Sequence, residues 1–195
     1  MSVIRAFIAI ELTAEIQKRL DEISAAFKQQ LNGVPVRWVS AGNIHLTLKF
    51  LGDVSVATLK LLTDILKTEI GTHRPFEVSV GGAGAFPNNR RPRVIWVGVE
   101  APSDLAVVQS GVETAMARLG YPREDRPFSP HLTLGRVSRN ATSDDTPALT
   151  EFLQSSRVGF LGAACVQEIC LFRSDLQPSG AVYTRIFTAP LGQPV

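Results

Sequence analysis

Cysteine is nearly absent from this chain, and histidine is almost as scarce. Cys165 and Cys170 are the only thiols. They lie five residues apart in a stretch that reads as a strand, which places them on opposite faces and disfavours a local disulfide. No third thiolate exists to complete a zinc site. Both read as small buried hydrophobes in a reducing compartment. Also missing is any apolar run of the roughly 18 residues that a membrane span needs. The N-terminal stretch Val3–Ile10 carries Arg5 and lacks a small-residue cleavage pattern, so it does not read as a secretory leader. The expected setting is the cytoplasm. Charge of one sign is not in excess either. With a net charge of +2, attraction to a polyanion has to come from a local patch, and Arg90, Arg91 and Arg93 or Arg118, Arg123 and Arg126 are available for one. A Gly-rich phosphate loop is excluded as well. Gly81-Gly82-Ala83-Gly84 lacks the following helix and the final spacing, and reads as a bulged or flexible strand.

What remains is 45% hydrophobic, enough for a sizeable core. Residues 3–10 read as a strand, followed by a helix over 14–31 with Thr13 as its N-cap and Ile16, Leu20, Ile23 and Phe27 along one face. Trp38 leads into a strand at 44–51, a turn at Gly52-Asp53 and a helix near 55–70. Strands at 76–86 and 94–99 flank a Pro-bounded turn. The second half repeats the theme: a helix over 103–119, a strand at 131–137, a short helix at 147–155, and strands at 163–172 and 181–188. Short turns between strand pairs imply mainly antiparallel sheets. The expectation is an α+β fold of two lobes with pseudo-twofold symmetry, sheets facing a central cleft and helices packed outside, all within one domain spanning 1–195.

The three histidines are the sharpest feature. Two of them open identical tetrapeptides, His45-Leu-Thr-Leu48 and His131-Leu-Thr-Leu134. Residues two apart on a strand share a face, so His45, Thr47 and Lys49 point one way and Leu46, Leu48 and Phe50 point into a core. His131 and Thr133 likewise stand before Leu132 and Leu134. One such strand is an ordinary amphipathic strand. Two copies at matching points of two matching blocks suggest a cleft with facing imidazoles. Such a pair can run acid and base chemistry without a metal, and no carboxylate sits at ligand spacing inside either motif. Cleavage of an activated phosphodiester fits two imidazoles, two hydroxyls and a nearby cation. His73 stands outside both motifs and reads as a surface residue.

The wider pattern is Arg5-Ala-Phe-Ile-Ala-Ile10, Arg37-Trp38, His45 through Gly52, Arg93-Val-Ile-Trp-Val-Gly98, Ser129 through Arg136, Leu171 through Leu176 and Gly180-Ala-Val-Tyr183. It resembles the 2H phosphoesterase superfamily, and within it the RNA 2′,3′-cyclic phosphodiesterases historically called 2′-5′ RNA ligases. That resemblance implies metal-free hydrolysis of RNA 2′,3′-cyclic phosphate ends to 2′-phosphomonoesters, with no cofactor, by a monomer with no membrane association. It makes His45 the proton donor to the 3′-oxygen and His131 the acceptor that activates water. Thr47, Thr133 and Arg136 would hold the phosphate. Lys49, Phe128 and Tyr183 are candidate substrate contacts, and Trp38 reads as a core-packing residue. Strict alternation puts Arg136 on the wrong face, so either the strand bulges at Gly135 or Arg136 acts from the rim. Two other readings stay open: ATP-independent 2′-5′ ligation of tRNA halves, and a non-catalytic module that binds RNA ends.

Overall fold

The computed structural model describes residues 2–142, 145–178 and 180–192. Strand β1 (Val3–Ile10) leads to helix α1 (Ala14–Gln30), whose first turn is capped by the Thr13 hydroxyl accepting from the Ile16 amide at 3.4 Å. The short β2 (Val36–Trp38) and a 3₁₀ turn at Ala41–Asn43 precede β3 (Leu46–Ser55). There follow α2 (Leu59–Ile70), β4 (Phe76–Phe86), β5 (Val94–Glu100), α3 (Ser103–Ala117) and β6 (His131–Val137). The chain closes with α4 (Asp145–Ser155), β7 (Phe160–Val166), β8 (Glu168–Gln177) and β9 (Gly180–Pro190).

Every strand pairing is antiparallel. One sheet runs β3-β1-β8-β9 and the other β2-β6-β5-β4-β7. A continuous apolar core joins them, with Ile8, Leu46, Ile95, Leu132 and Leu134 all but fully buried. The motif leucines therefore anchor their strands, as the alternation implies. Although they belong to different sheets, β3 and β6 come into contact, which brings the two motif strands together where the sheets meet.

Several expectations need correction. The lobes are not the two halves of the chain. Strands β1 and β3 pair with the C-terminal β8 and β9, while β4 and β5 join β6 and β7. Gly52-Asp53 does not turn the chain. Leu51 is the extra residue of a bulge inside β3, Gly52 beside it takes φ +69, and pairing continues to Ser55. The stretch 163–172 is two strands in different sheets, broken at Gln167. Cys170 is buried but Cys165, on the other sheet, is exposed. His73 is not a free surface residue, since its Nε2 meets Glu69 at 3.0 Å. The glycine run of β4 is bulged as expected, at Gly82 with φ +71.

Candidate active site

Both motifs carry the same irregularity at the same residue. Between β1 and β3, Ala9 faces Thr47 but Ile8 faces Lys49, so Leu48 is the extra residue. Between β5 and β6, Trp96 faces Thr133 but Ile95 faces Gly135, so Leu134 is the extra residue. Each bulge reverses the alternation after the fourth motif residue. Lys49 and Gly135 consequently turn to the core side, and Phe50 and Arg136 emerge on the side of the histidines. For Arg136 this settles the open question, with the bulge one residue earlier than Gly135. For Lys49 and Phe50 it inverts the sequence reading.

Lys49 is only 5% exposed and cannot contact a substrate in the cleft. Its Nζ donates to Glu113 Oε2 at 2.6 Å and to the Pro122 carbonyl at 2.7 Å. Gln109 reaches the Leu48 carbonyl and Glu113 Oε1, each at 3.4 Å. The strand behind His45 is thus tied to α3 and to the loop that leads to His131. Phe50 is instead 67% exposed, with its ring 6.0 Å from that of Phe7.

His45 rests on an aromatic floor. Its ring stacks on Phe7 at 4.6 Å and Phe172 at 5.7 Å, with the edge of Tyr183 at 5.2 Å. Burial on this floor pushes its pKa down to about 4, against a smaller upward pull from the backbone carbonyl of Asn43 that accepts its N–H. The Asn43 side chain in turn donates to the Ala181 carbonyl at 2.8 Å, pinning the motif's approach to β9. His131 is held in a matching way, its Nδ1 donating to the Ser129 carbonyl at 2.7 Å. That bond leaves Nε2 as the free nitrogen. Burial lowers the His131 pKa, the Ser129 carbonyl opposes, and the positive charge of Arg136 lowers it further. The edge of Phe86 closes the ring's other side at 4.8 Å.

The cleft face of β6 and its neighbours therefore carries His131, Thr133 and Arg136 beside Trp96, which lies across Gly84. A Cβ at Gly84 would sit 2.5 Å from the indole ring, so glycine there is what lets the indole lie flat. Thr47 and Thr133 are half-buried on the same faces as their histidines. Tyr183 is in the floor, whereas Phe128 packs against the core, as does Trp38. Beside His45 opens a recess of about 220 Å³ lined by Glu11, Gln17, Gly42, Ile44, Phe172, Tyr183 and Arg185. Among the described residues one group of donors approaches metal-ligand geometry, Glu11, Glu168 and Cys170. Arg185 already bridges its two carboxylates, at 2.7 Å from Glu11 and 3.5 Å from Glu168. Neither motif histidine belongs to the group.

Sequence reasoning missed Phe50, the floor residues Phe7 and Phe172, and the Glu11–Arg185–Glu168 cluster. Phe50 had one signal, the repeat itself. A bulge that swings Arg136 into the cleft, copied into the first motif, swings Phe50.

Comparison with known proteins matches the geometry. The chain fits the family described as LigT like Phosphoesterase twice, over residues 10–96 and 97–183, one match for each motif. It is 35% identical over 181 residues to the RNA 2′,3′-cyclic phosphodiesterase of Methanothermobacter thermautotrophicus, covering 93% of this chain and 95% of that one. To the protein of the same name from Aquifex aeolicus it is 33% identical, covering 98% and 100%. Among solved structures, Escherichia coli LigT complexed with 3′-AMP superposes with a TM-score of 0.76 at 28% identity, over 97% of this chain and 99% of that one.

Proposed function

Because the chain belongs to the LigT-like phosphoesterase family, we propose that its cleft opens the 2′,3′-cyclic phosphate at the 3′ end of RNA, leaving a 2′-phosphomonoester. The observation that carries this reading is the asymmetry at the two equivalent positions after the bulges, Phe50 in one motif and Arg136 in the other. Burial holds the His131 imidazole towards its neutral form, the positive charge of Arg136 adds to that, and the Nδ1–H bond to Ser129 leaves Nε2 with a lone pair. That is a base for water. No cation faces His45 from the equivalent position, which holds Phe50. When an anionic phosphate arrives, it supplies the favourable charge that the aromatic floor denies, and His45 takes up a proton.

The step balances on protein groups. Water forms a bond to phosphorus and passes its proton to His131, the bond from phosphorus to the 3′-oxygen breaks, and His45 gives that oxygen its proton. Thr47 and Thr133 donate to the non-bridging oxygens as charge accumulates, and Arg136 neutralises it. The strained five-membered ring supplies the activation.

The test is turnover of an oligoribonucleotide ending in a 2′,3′-cyclic phosphate in excess EDTA, with the product identified by phosphorus NMR. A 2′-monoester is expected. No turnover, or a 3′-monoester, overturns the reading. The pH profile is a second check. Both imidazoles titrate below 6.5 in the empty cleft, His45 at about 4. Falling pH protonates the base and rising pH deprotonates the acid, so kcat/KM should peak on the acid side of pH 6.5. The kcat profile should lie higher, because bound anion favours both imidazoliums. A kcat/KM maximum above pH 8 would exclude the scheme.

A further inference from the structure

Arg136 has a like-charged neighbour. Across the β2–β6 pair Arg37 stands directly opposite it, flanked by Val36 opposite Val137 and Trp38 opposite Gly135. The flanking pairs face the core. A Cβ at Gly135 would lie 2.8 Å from Val36 Cγ1 and 3.1 Å from the Trp38 ring, and both side chains pack on the core cluster. Arg37 and Arg136 therefore share the opposite, cleft-facing side, and both are exposed. Like charges directly opposed across a strand pair repel. Among the described residues neither guanidinium has an acidic partner within salt-bridge distance.

The other mouth of the cleft has the reverse character. Past His45, two carboxylates, Glu11 and Glu168, share the one guanidinium of Arg185. A phosphate chain leaving the site meets net negative charge on that side and two unneutralised arginines on the other. The order of the arginines also matters. Arg136 stands on the same strand and the same face as His131, so it belongs with the scissile phosphate. Arg37 lies one strand farther out, on the edge strand of its sheet. A cyclic phosphate carries one negative charge, which Arg136 and the threonines already address. A second anion is needed for Arg37.

Resting on the hydrolase reading above, the geometry points to Arg37 as the site for the phosphodiester on the 5′ side of the terminal nucleoside. The preferred substrate is then an oligoribonucleotide end, and a free nucleoside cyclic phosphate, which has no group at that position, is the poorer one.

The experiment compares kcat/KM for a dinucleotide ending in a 2′,3′-cyclic phosphate with that for the matching nucleoside 2′,3′-cyclic phosphate, in wild type, Arg37→Ala and Arg37→Lys. Wild type should favour the dinucleotide by about tenfold at low salt, the scale of one charge-assisted phosphate contact. Arg37→Ala should bring the ratio close to one, and Arg37→Lys should restore part of it. The logarithmic salt dependence of dinucleotide turnover should become shallower by about one phosphate contact in Arg37→Ala. A merely structural role for Arg37 would move both substrates together and leave the ratio alone. Turnover of both substrates without preference, or a ratio unchanged in Arg37→Ala, overturns the inference and leaves the hydrolase reading standing. Turnover of neither substrate by wild type sinks that reading and this inference with it.

Discussion

His131→Ala and His45→Ala are each expected to lower kcat on a cyclic-phosphate RNA end by about 10²- to 10⁴-fold, the usual contribution of a positioned acid or base. The double variant should fall little further, since two groups that move one proton each in the same transition state fail together. The two single losses should differ in character. His131 hangs from the Ser129 carbonyl at the mouth of its strand, so truncating it leaves room for water and costs the fold little. His45 is stacked on Phe7 with the edge of Tyr183 against it. Its truncation opens the aromatic floor and should also lower stability. His45→Phe separates the two effects: it refills the floor and should recover stability while activity stays lost. Steady-state turnover and denaturant midpoints on the same preparations decide the matter. Multiplicative losses in the double variant would mean that the imidazoles act in separate steps.

The second large effect is on stability. Lys49→Met should destabilise the protein by about 3–5 kcal/mol, because it strands the Glu113 carboxylate in the interior and leaves the Pro122 carbonyl without its donor. In a chain of this size that corresponds to a fall in Tm of about 10 °C. Glu113→Leu should cost a similar amount by stranding the ammonium. The combined Lys49→Met, Glu113→Leu protein should recover most of the loss, since an apolar pair of like volume replaces a buried ion pair at little net cost. Additive single losses would show that the pair is not coupled. Activity gives an independent reading. The pair joins the His45 strand to α3 and to the loop before His131, so the refilled protein should remain folded yet turn over more slowly, its two imidazoles less well registered.

Much of this was legible in the chain. The periodicity of 14–31, the Thr13 cap, the core-facing motif leucines and the antiparallel turns all declare themselves, because each is a local pattern with a local cause. The repeat of His-Leu-Thr-Leu marked the motif strands for the same reason. What stayed hidden was non-local. A bulge leaves no mark on composition, and Lys49 followed by Phe50 satisfies plain alternation as well as it satisfies the inverted one. Only the partner, Glu113, fixes which face the lysine takes, and Glu113 lies on a helix 64 residues away in sequence. The assignment of strands to sheets was hidden too. Two equal half-chains suggest two self-contained lobes, and nothing local says that β8 and β9 cross to β1.

That crossing has a consequence for how the molecule is made. Ala9 lies against Cys170, and Phe7 against Phe172, so the central strand of the first sheet is among the earliest segments synthesised and its partner among the last. The sequence repeat is therefore not a folding unit. As the chain emerges from the ribosome, His45 has only the Phe7 part of its floor, and β1 pairs with β3 on one side and waits with the other side open until the final hairpin arrives. Pairing over so long an interval makes a slow, high-contact-order closure. The first motif acquires its depressed pKa only when that closure is complete, so a shortened or nicked chain would keep both histidines and lack the environment that sets one of them apart.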